Sequence, residues 1–200
     1  MKIEEAMIRN DKFQISVATL SRKQQLAFAL LVFERMLPSL VTFSKDTGFE
    51  DACYLEAKEA AWNTLQNGPV DRSIINARLR SVPDTEDYSH ELTSYALNAA
   101  LAVNEIIEFT QDGRGEHITN VSNLAGDSLY LYLISLEDSV VSSPEEDISI
   151  FSHSLMQEEY RREEADISFV ASLPEQLSEE AILSLRKRAD THVSLVPLTL

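Results

Sequence analysis

The feature that most constrains the fold is the stretch of residues 26–37, LAFALLVFERML, which is followed by Pro38. Its first eight residues carry no polar side chain, so a helix built from them is apolar on every face. Such a helix is buried among other helices, and twelve residues are too few to span a bilayer. The stretch therefore predicts the central helix of a soluble multi-helix protein.

Local signals predict where this helix begins and ends. Ser21 and Gln24 form a capping-box pattern that opens it. Pro38 predicts an end near Leu37, because the residue before a proline disfavours α geometry. Pro38 then suits the first turn of a second, shorter helix that ends at Gly48.

Apolar residues at helical spacing cover most of the remaining chain, which contains few helix breakers. They predict further helices over residues 50–67, 71–82, 88–111, 116–138 and 144–173, and a last one from Ser178. The chain has only five glycines and six prolines, which favours helices over turn-rich β classes. We therefore predict an all-α fold, a multi-helix bundle of about seven or eight helices around the buried central helix.

The predicted domain organisation is a single helical domain over residues 1–200. Within it, residues 1–20 form an N-terminal segment, and residues 144–200 form the C-terminal helices and an apolar tail. The length suits one domain with a sizeable core.

Three segments leave alternatives open. Phe13, Ile15 and Val17 alternate with polar residues, which is compatible with a short strand. The nearly all-charged residues 158–166 lie inside a predicted helix, which then crosses solvent or bridges to another subunit. The apolar tail, residues 191–200, is either extended or docked on a partner.

The charge balance restricts the expected partners. The net charge is −16, with −3 on residues 1–100 and −13 on residues 101–200. Such a surface repels nucleic acid and anionic lipid, so neither nucleic acid nor a membrane is an expected partner. Three explanations of the negative charge remain open, namely binding of basic partners, binding of cations, and solubility alone. The first residues lack the apolar core of a signal peptide, and we expect the protein to be cytoplasmic.

The sequence lacks the common catalytic and metal-binding patterns. Its single cysteine, Cys53, excludes an internal disulfide framework and a cysteine-based zinc site. No phosphate-binding glycine loop, nucleophile elbow or HExxH motif occurs. The Glu-x-x-His pattern of di-iron bundles fails at all four histidines, His90, His117, His153 and His192. We therefore predict no catalytic residue, no cofactor and no metal.

Four charged residues in or near apolar stripes form the candidate polar cluster: Glu34, Arg35, Glu59 and Glu105. In one interpretation each of them reaches solvent at the edge of its helix, since a charged residue is rarely buried without a partner. In the other, the three acids meet around Arg35 as a structural ion cluster or a cation site.

Several motifs together resemble one protein family. The motifs are FERMLP at residues 33–38, Phe43, TGF at 47–49, WNTL at 62–65 with Glu59 three residues before it, AVNE at 102–105 and LMQEE at 155–159. This pattern resembles the YjaG-like bacterial proteins, domain of unknown function family 416. The resemblance covers most of the chain but not the tail. It implies an all-α fold, and it implies no activity because the function of the family is unassigned.

Two functional hypotheses follow. The first is a non-enzymatic module that binds another protein or itself, with a homodimer as one expected form. The second is a small-molecule- or cation-binding bundle, an enzyme included, that uses Glu34, Arg35, Glu59 and Glu105 around an internal pocket.

Overall fold

The computed structural model describes residues 12–67, 82–137, 149–191 and 193–198, and these ranges contain six helices of at least twelve residues. The helices are α1 (Arg22–Thr47), α2 (Ala52–Asn67), α3 (Thr93–Asp112), α4 (Glu116–Glu137), α5 (Ser154–Ser172) and α6 (Glu179–Asp190). Shorter helical segments lie at residues 12–18 and 149–152. No strand occurs in the described ranges, and the predicted all-α bundle is confirmed.

Helix α1 is the centre of the bundle. All residues from 26 to 33 are buried, as their uniformly apolar sequence predicts. Helix α1 contacts each of α2, α3, α4, α5 and α6. Buried side chains from all the described helices join its side chains in one core cluster.

The two ends of α1 follow the local signals. Ser21 Oγ accepts a hydrogen bond from Gln24 N, and Gln24 Oε1 accepts one from Ser21 N at 2.9 Å, which completes the capping box. Gly48 ends the helix with a φ of 76°, a conformation that glycine adopts without steric cost.

The predicted end of α1 at Leu37 is wrong. The helix continues through Pro38 to Thr47, so the two predicted helices are one. An interior proline costs about 3 kcal/mol, partly through one lost backbone hydrogen bond. Leu40 and Phe43, both beyond the proline, are fully buried, and each large apolar side chain contributes about 1.5–3 kcal/mol. Their burial offsets the cost of the proline.

Near the start of the chain the strand alternative is also wrong. Residues 12–18 are helical. Phe13 and Val17 are four residues apart and therefore share the buried face, whereas Ile15 is 66% exposed on the other side. The alternation of apolar residues was too short to separate a period of two from a helical period.

Two other predicted helices have different bounds in the structure. The predicted helix over residues 144–173 is interrupted at His153, whose Nδ1 accepts a hydrogen bond from Leu155 N and caps α5. The helix predicted from residue 88 starts later, at Thr93. Almost all of the predicted helix over residues 71–82 lies outside the described residues.

Among the described helices, only α1 is long and apolar enough to cross a membrane by length and composition. It has 26 residues, so the sequence argument from a length of twelve does not apply to it. However, 78% of its most apolar window is buried inside the chain. Burial, rather than length, is what makes α1 a core helix.

Candidate functional site

Arg35 is a fully buried cation in the central helix α1. Its Nε and Nη2 donate hydrogen bonds to Oε1 of Glu159 at 2.9 and 2.6 Å. Its Nη1 donates to Oδ2 of Asp166 at 2.7 Å and to the carbonyl oxygen of Leu31 at 3.1 Å. A planar guanidinium has five donors, so this one side chain binds two carboxylates that lie about two turns apart on α5.

The charged middle of α5 supplies these carboxylates. Glu159, Glu163 and Asp166 are spaced by four and three residues, so they lie on one face of the helix, and all three are at most 3% exposed. The charged residues 161 and 164 lie on the exposed face. The expectation that this segment crosses solvent is therefore wrong for the face that meets α1, while a bridge to another subunit stays a prediction.

The buried acids also contact two other helices. Arg188 on α6 donates from Nε to Oδ1 of Asp166 at 2.7 Å, and its guanidinium lies over the ring of Phe169. Ser122 on α4 donates a short hydrogen bond to Oε1 of Glu163. Hydrogen bonds and ion pairs thus join α1, α4, α5 and α6 around Arg35. Such partners are required, because a buried charge without one costs several kcal/mol.

Burial and charge pairing compete at both ends of the central ion pair. Burial favours neutral Arg35, but Glu159 and Asp166 outweigh it and raise the arginine pKa above its ordinary value. Burial raises the pKa of Glu159, although Arg35 and Arg162 act in the opposite direction. Arg35 therefore stays protonated. In this ion pair, burial disfavours the charged form of Glu159 more than that of Arg35.

One oxygen of this network has no hydrogen-bond partner among the described residues. It is Oε2 of Glu159, a buried atom. The Arg162 Nη1 atom is 3.8 Å from it, which is beyond hydrogen-bond length. A buried acceptor left without a donor costs about 1–3 kcal/mol. Glu159 is thus ready to accept one further donor.

A cleft of about 410 Å³ lies beside Glu159. It is lined by α4, α5 and the C-terminal tail, through Leu129, Leu155, Glu158, Glu159, Arg162, Val193, Ser194, Leu195, Val196, Pro197 and Leu198. Glu159 and Arg162 both line this cleft, and Oε2 is the Glu159 oxygen near Arg162, since Oε1 is bound to Arg35. The cleft therefore combines a largely apolar wall with Glu159, whose Oε2 is the one buried polar side-chain atom without a hydrogen-bond partner among the described residues.

The tail packs on its own chain. Leu195 and Val196 are buried, whereas Val193 is 67% exposed. The Leu195 N–H donates to the carbonyl oxygen of Arg35 at 2.8 Å. The tail residues 193–198 therefore form one wall of the cleft by packing on their own chain, an arrangement that the prediction of an extended tail or one docked on a partner did not include.

The predicted acids Glu34 and Glu59 lie together at a different place, where α1, α2 and α6 meet. Glu34 Oε1 accepts a hydrogen bond from Trp62 Nε1 at 2.9 Å, and Glu59 is 49% exposed and pairs with Arg186 at 2.9 Å. Lys58 lies 3.5 Å from Glu34 and 3.4 Å from Glu59. Hydrogen bonds to Arg186 and its charge lower the pKa of Glu59 against a burial effect that raises it.

The remaining predicted acid, Glu105, lies near the turn between α3 and α4. Its Oε2 is hydrogen-bonded to Nδ1 of His117, and Nε2 of the same buried ring lies 3.2 Å from Oδ2 of Asp112. Of the four residues of the candidate polar cluster, the structure brings Glu34 and Glu59 together through Lys58. Arg35 and Glu105 each have other partners.

The sequence analysis missed the acids that do meet Arg35, although a signal for them exists. Met156 and Val170 are buried at the two ends of a stripe with helical spacing on α5. Glu159, Glu163 and Asp166 continue the same stripe between them. An acid on an apolar stripe indicates burial against a cation, and Arg35 is the cation inside the most apolar helix.

A second cleft of about 270 Å³ lies between the start of α1 and the end of α3. Its two cations already have partners, since Arg22 donates to the carbonyl oxygens of Phe109 and Thr110, and Lys23 donates to that of Leu65. In the described ranges no group of three or more His, Cys, Asp or Glu side chains is placed to hold a metal ion. The cleft at Glu159 is therefore the candidate site.

The fold and this site define an all-α bundle with a buried ion network beside an apolar cleft. The model of the family described as "Protein of unknown function (DUF416)" matches residues 12–194, so the chain belongs to this family, as its motifs indicated.

One solved relative supports the fold. The crystal structure of a DUF416 family protein from Shewanella baltica OS155 is similar to this chain with a TM-score of 0.82 and 23% identity. The similarity covers 94% of this chain and 98% of that one. At this identity it shows a shared fold alone. No curated protein matches the chain.

Proposed function

We propose that this chain is a non-enzymatic binding protein that holds a small molecule in the cleft between α4, α5 and the C-terminal tail. The observation that carries the proposal is the coincidence of the cleft with Oε2 of Glu159, a buried acceptor that lacks a donor among the described residues. A ligand that donates a hydrogen bond there removes the cost of that unpaired acceptor.

The size and lining of the cleft support this function. Small-molecule sites typically have volumes of about 300–1,000 Å³ and apolar walls with a few polar groups that orient the ligand. This cleft measures about 410 Å³, and the polar side chains among its described lining residues are Glu158, Glu159, Arg162 and Ser194. The acids of the proposed polar site are therefore those that α5 places around Arg35, and not Glu34, Glu59 and Glu105 as the sequence suggested.

Native mass spectrometry tests the proposal on protein purified without chelator. We expect a retained species that is lost in Leu155→Trp, because Leu155 lines the cleft and is 36% exposed, so a larger side chain fills the site without replacing a core residue. Leu183→Trp is the matched control, since Leu183 is 66% exposed on α6 and does not line the cleft. A species retained equally by both variants contradicts the proposal.

The second candidate is the expected protein-interaction module, with the same cleft as its docking site. Leu155 and Val193 are exposed at its rim, and the net charge of −16 favours a basic and apolar segment of a partner protein. A leucine–lysine peptide should then bind in a salt-dependent way, and a leucine–glutamate peptide should not. Fluorescence anisotropy measures both. A homodimer in the native spectrum supports the expected self-association instead.

A further inference from the structure

We infer that the cleft takes a protonated primary amine with a hydrocarbon body, that is, an alkylammonium. Its ammonium group donates to Oε2 of Glu159, and its hydrocarbon part lies against Leu155 and the tail residues Val193 and Val196. This inference rests on the proposed binding function and names the chemical class of the ligand.

The hydrogen bonds of the ion network identify the acceptor. Glu159 Oε1 already accepts from Nε and Nη2 of Arg35. The two oxygens of Asp166 accept from Arg35 and Arg188. Oε2 of Glu159 is left, and it is a buried carboxylate oxygen with no hydrogen-bond donor among the described residues. A carboxylate oxygen in a partly apolar site prefers a charged donor, since such hydrogen bonds are shorter and stronger.

The charges that line the cleft favour a cation over an anion. Among the described lining residues, Glu158 and Glu159 contribute two carboxylates, and Arg162 is the one basic side chain. Arg162 already lies 3.4 Å from Glu158 and 3.8 Å from Glu159. Together, these two carboxylates and one guanidinium leave one net negative charge on the described lining, which favours a ligand ammonium over a ligand carboxylate.

Arg162 also explains how an ammonium reaches the buried oxygen. Its side chain is 33% exposed, and its Nη1 lies near Oε2 without a hydrogen bond. Rotation of Arg162 toward the exposed Glu158 leaves this position to the ligand. Arg162 is thus a competitor for the ligand ammonium rather than a ligand-binding group.

Isothermal titration calorimetry with three probes of one length tests the ligand class on the full chain. We expect hexylammonium to bind about tenfold more tightly than hexanol, because both probes can donate to Oε2 but only the ammonium is a charged donor, and we expect hexanoate to bind least. Equal or tighter binding of hexanol or hexanoate overturns the inference.

Variants place the binding in the cleft. Leu155→Trp should abolish hexylammonium binding, and Leu183→Trp should leave it unchanged. Arg162→Ala should tighten it by roughly two- to fivefold, because an exposed competing charge is removed. Weaker binding in Arg162→Ala overturns the inference. Glu159→Gln should remove the preference for hexylammonium over hexanol, and circular dichroism shows whether this variant folds. If Glu159→Gln does not fold, the Leu155→Trp and Arg162→Ala variants decide whether hexylammonium binds in this cleft.

The outcomes separate this inference from the proposed function. One outcome is that hexanol or hexanoate binds more tightly than hexylammonium, with binding that Leu155→Trp abolishes. This result overturns the inference of an amine ligand and leaves the cleft as a binding site. If none of the three probes binds, the inference is overturned, and the species retained in the native mass spectrum decides the proposed function independently.

Discussion

The backbone N–H of Leu195 donates a 2.8 Å hydrogen bond to the backbone carbonyl of Arg35. The side chain of the same arginine binds Glu159 and Asp166 on α5. One residue of the central helix therefore holds both the tail and the charged helix that form the cleft. The integrity of the cleft and the stability of the core are coupled at this position.

Leu195→Ala tests how firmly the tail is attached. Leu195 is 6% exposed, so its truncation should lower the free energy of unfolding by about 2 kcal/mol, near the lower end for a buried leucine. Val193→Ala is the control, since Val193 is 67% exposed and its truncation should change stability by at most about 0.5 kcal/mol. Urea denaturation measures both. Equal effects of the two substitutions would contradict the docked tail.

Arg35→Met tests the buried ion network. The substitution leaves Glu159 and Asp166 in the core without their shared cation, and the loss of one partner of a buried pair costs about 3–5 kcal/mol. Adding Glu159→Gln and Asp166→Asn should restore part of that loss, because the unpaired charges are removed. Chemical denaturation of the single and triple variants provides the comparison. A single variant as stable as the parent chain would show that Arg35 is not needed by the two acids.

Glycine-to-alanine substitutions at two helix ends separate backbone strain from crowding. Gly48 and Gly113 have φ values of 76° and 73°, and alanine in this region costs roughly 1–2 kcal/mol. An added Cβ at Gly48 meets nothing within 4 Å, but at Gly113 it lies 3.0 Å from Cζ of Arg22. Gly113→Ala should therefore destabilise the protein more, since Arg22 must also shift its hydrogen bonds to Phe109 and Thr110. Thermal melts of both variants measure the difference.

His117 should make stability depend on pH. Burial disfavours its charged form, but hydrogen bonds to Glu105 and Asp112 outweigh this effect and raise the His117 pKa above its ordinary value. A raised folded-state pKa stabilises the protein fully below the unfolded pKa of about 6.5, and this contribution is lost as pH rises through the folded pKa.

The advantage in stability of the parent chain over His117→Gln should therefore be larger at about pH 5.5 than at about pH 9. Urea denaturation at both pH values measures it. Glu105→Gln supplies the control, because removing this carboxylate should lower the His117 pKa in an NMR titration. An advantage that grows with pH would contradict the assignment of His117 as a paired imidazolium.

The sequence predicted those features of the fold that depend on nearby residues. The apolar residues 26–33 indicated the central helix, and Ser21 and Gln24 indicated its start. Gly48 indicated a left-handed turn at the end of a predicted second helix, which in the structure is the end of α1. Pro38 misled the prediction, because its local cost was visible in the sequence but the burial of Leu40 and Phe43 beyond it was not.

The candidate site was only half visible in the sequence. Arg35 was singled out as a charge in the most apolar helix, with burial as one of two interpretations, but its partner Glu159 lies 124 residues away in the chain. The sequence pattern of α5 places Glu159, Glu163 and Asp166 on one face, yet it does not say which helix that face meets. The partners of Glu34, Glu59 and Glu105 were not predicted either, because the sequence does not say which helices their side chains meet.

The sequence by itself determined the helical class, the apolar core of the central helix, its N-cap and the glycine turn at Gly48, because helical periodicity, capping and glycine geometry act over a few residues. The tertiary structure alone decided that Arg35 pairs with Glu159 and Asp166, that the tail lies on Arg35, and that a cleft remains beside Oε2 of Glu159. Charge pairing and packing between distant helices depend on their relative placement in space, which no local pattern specifies.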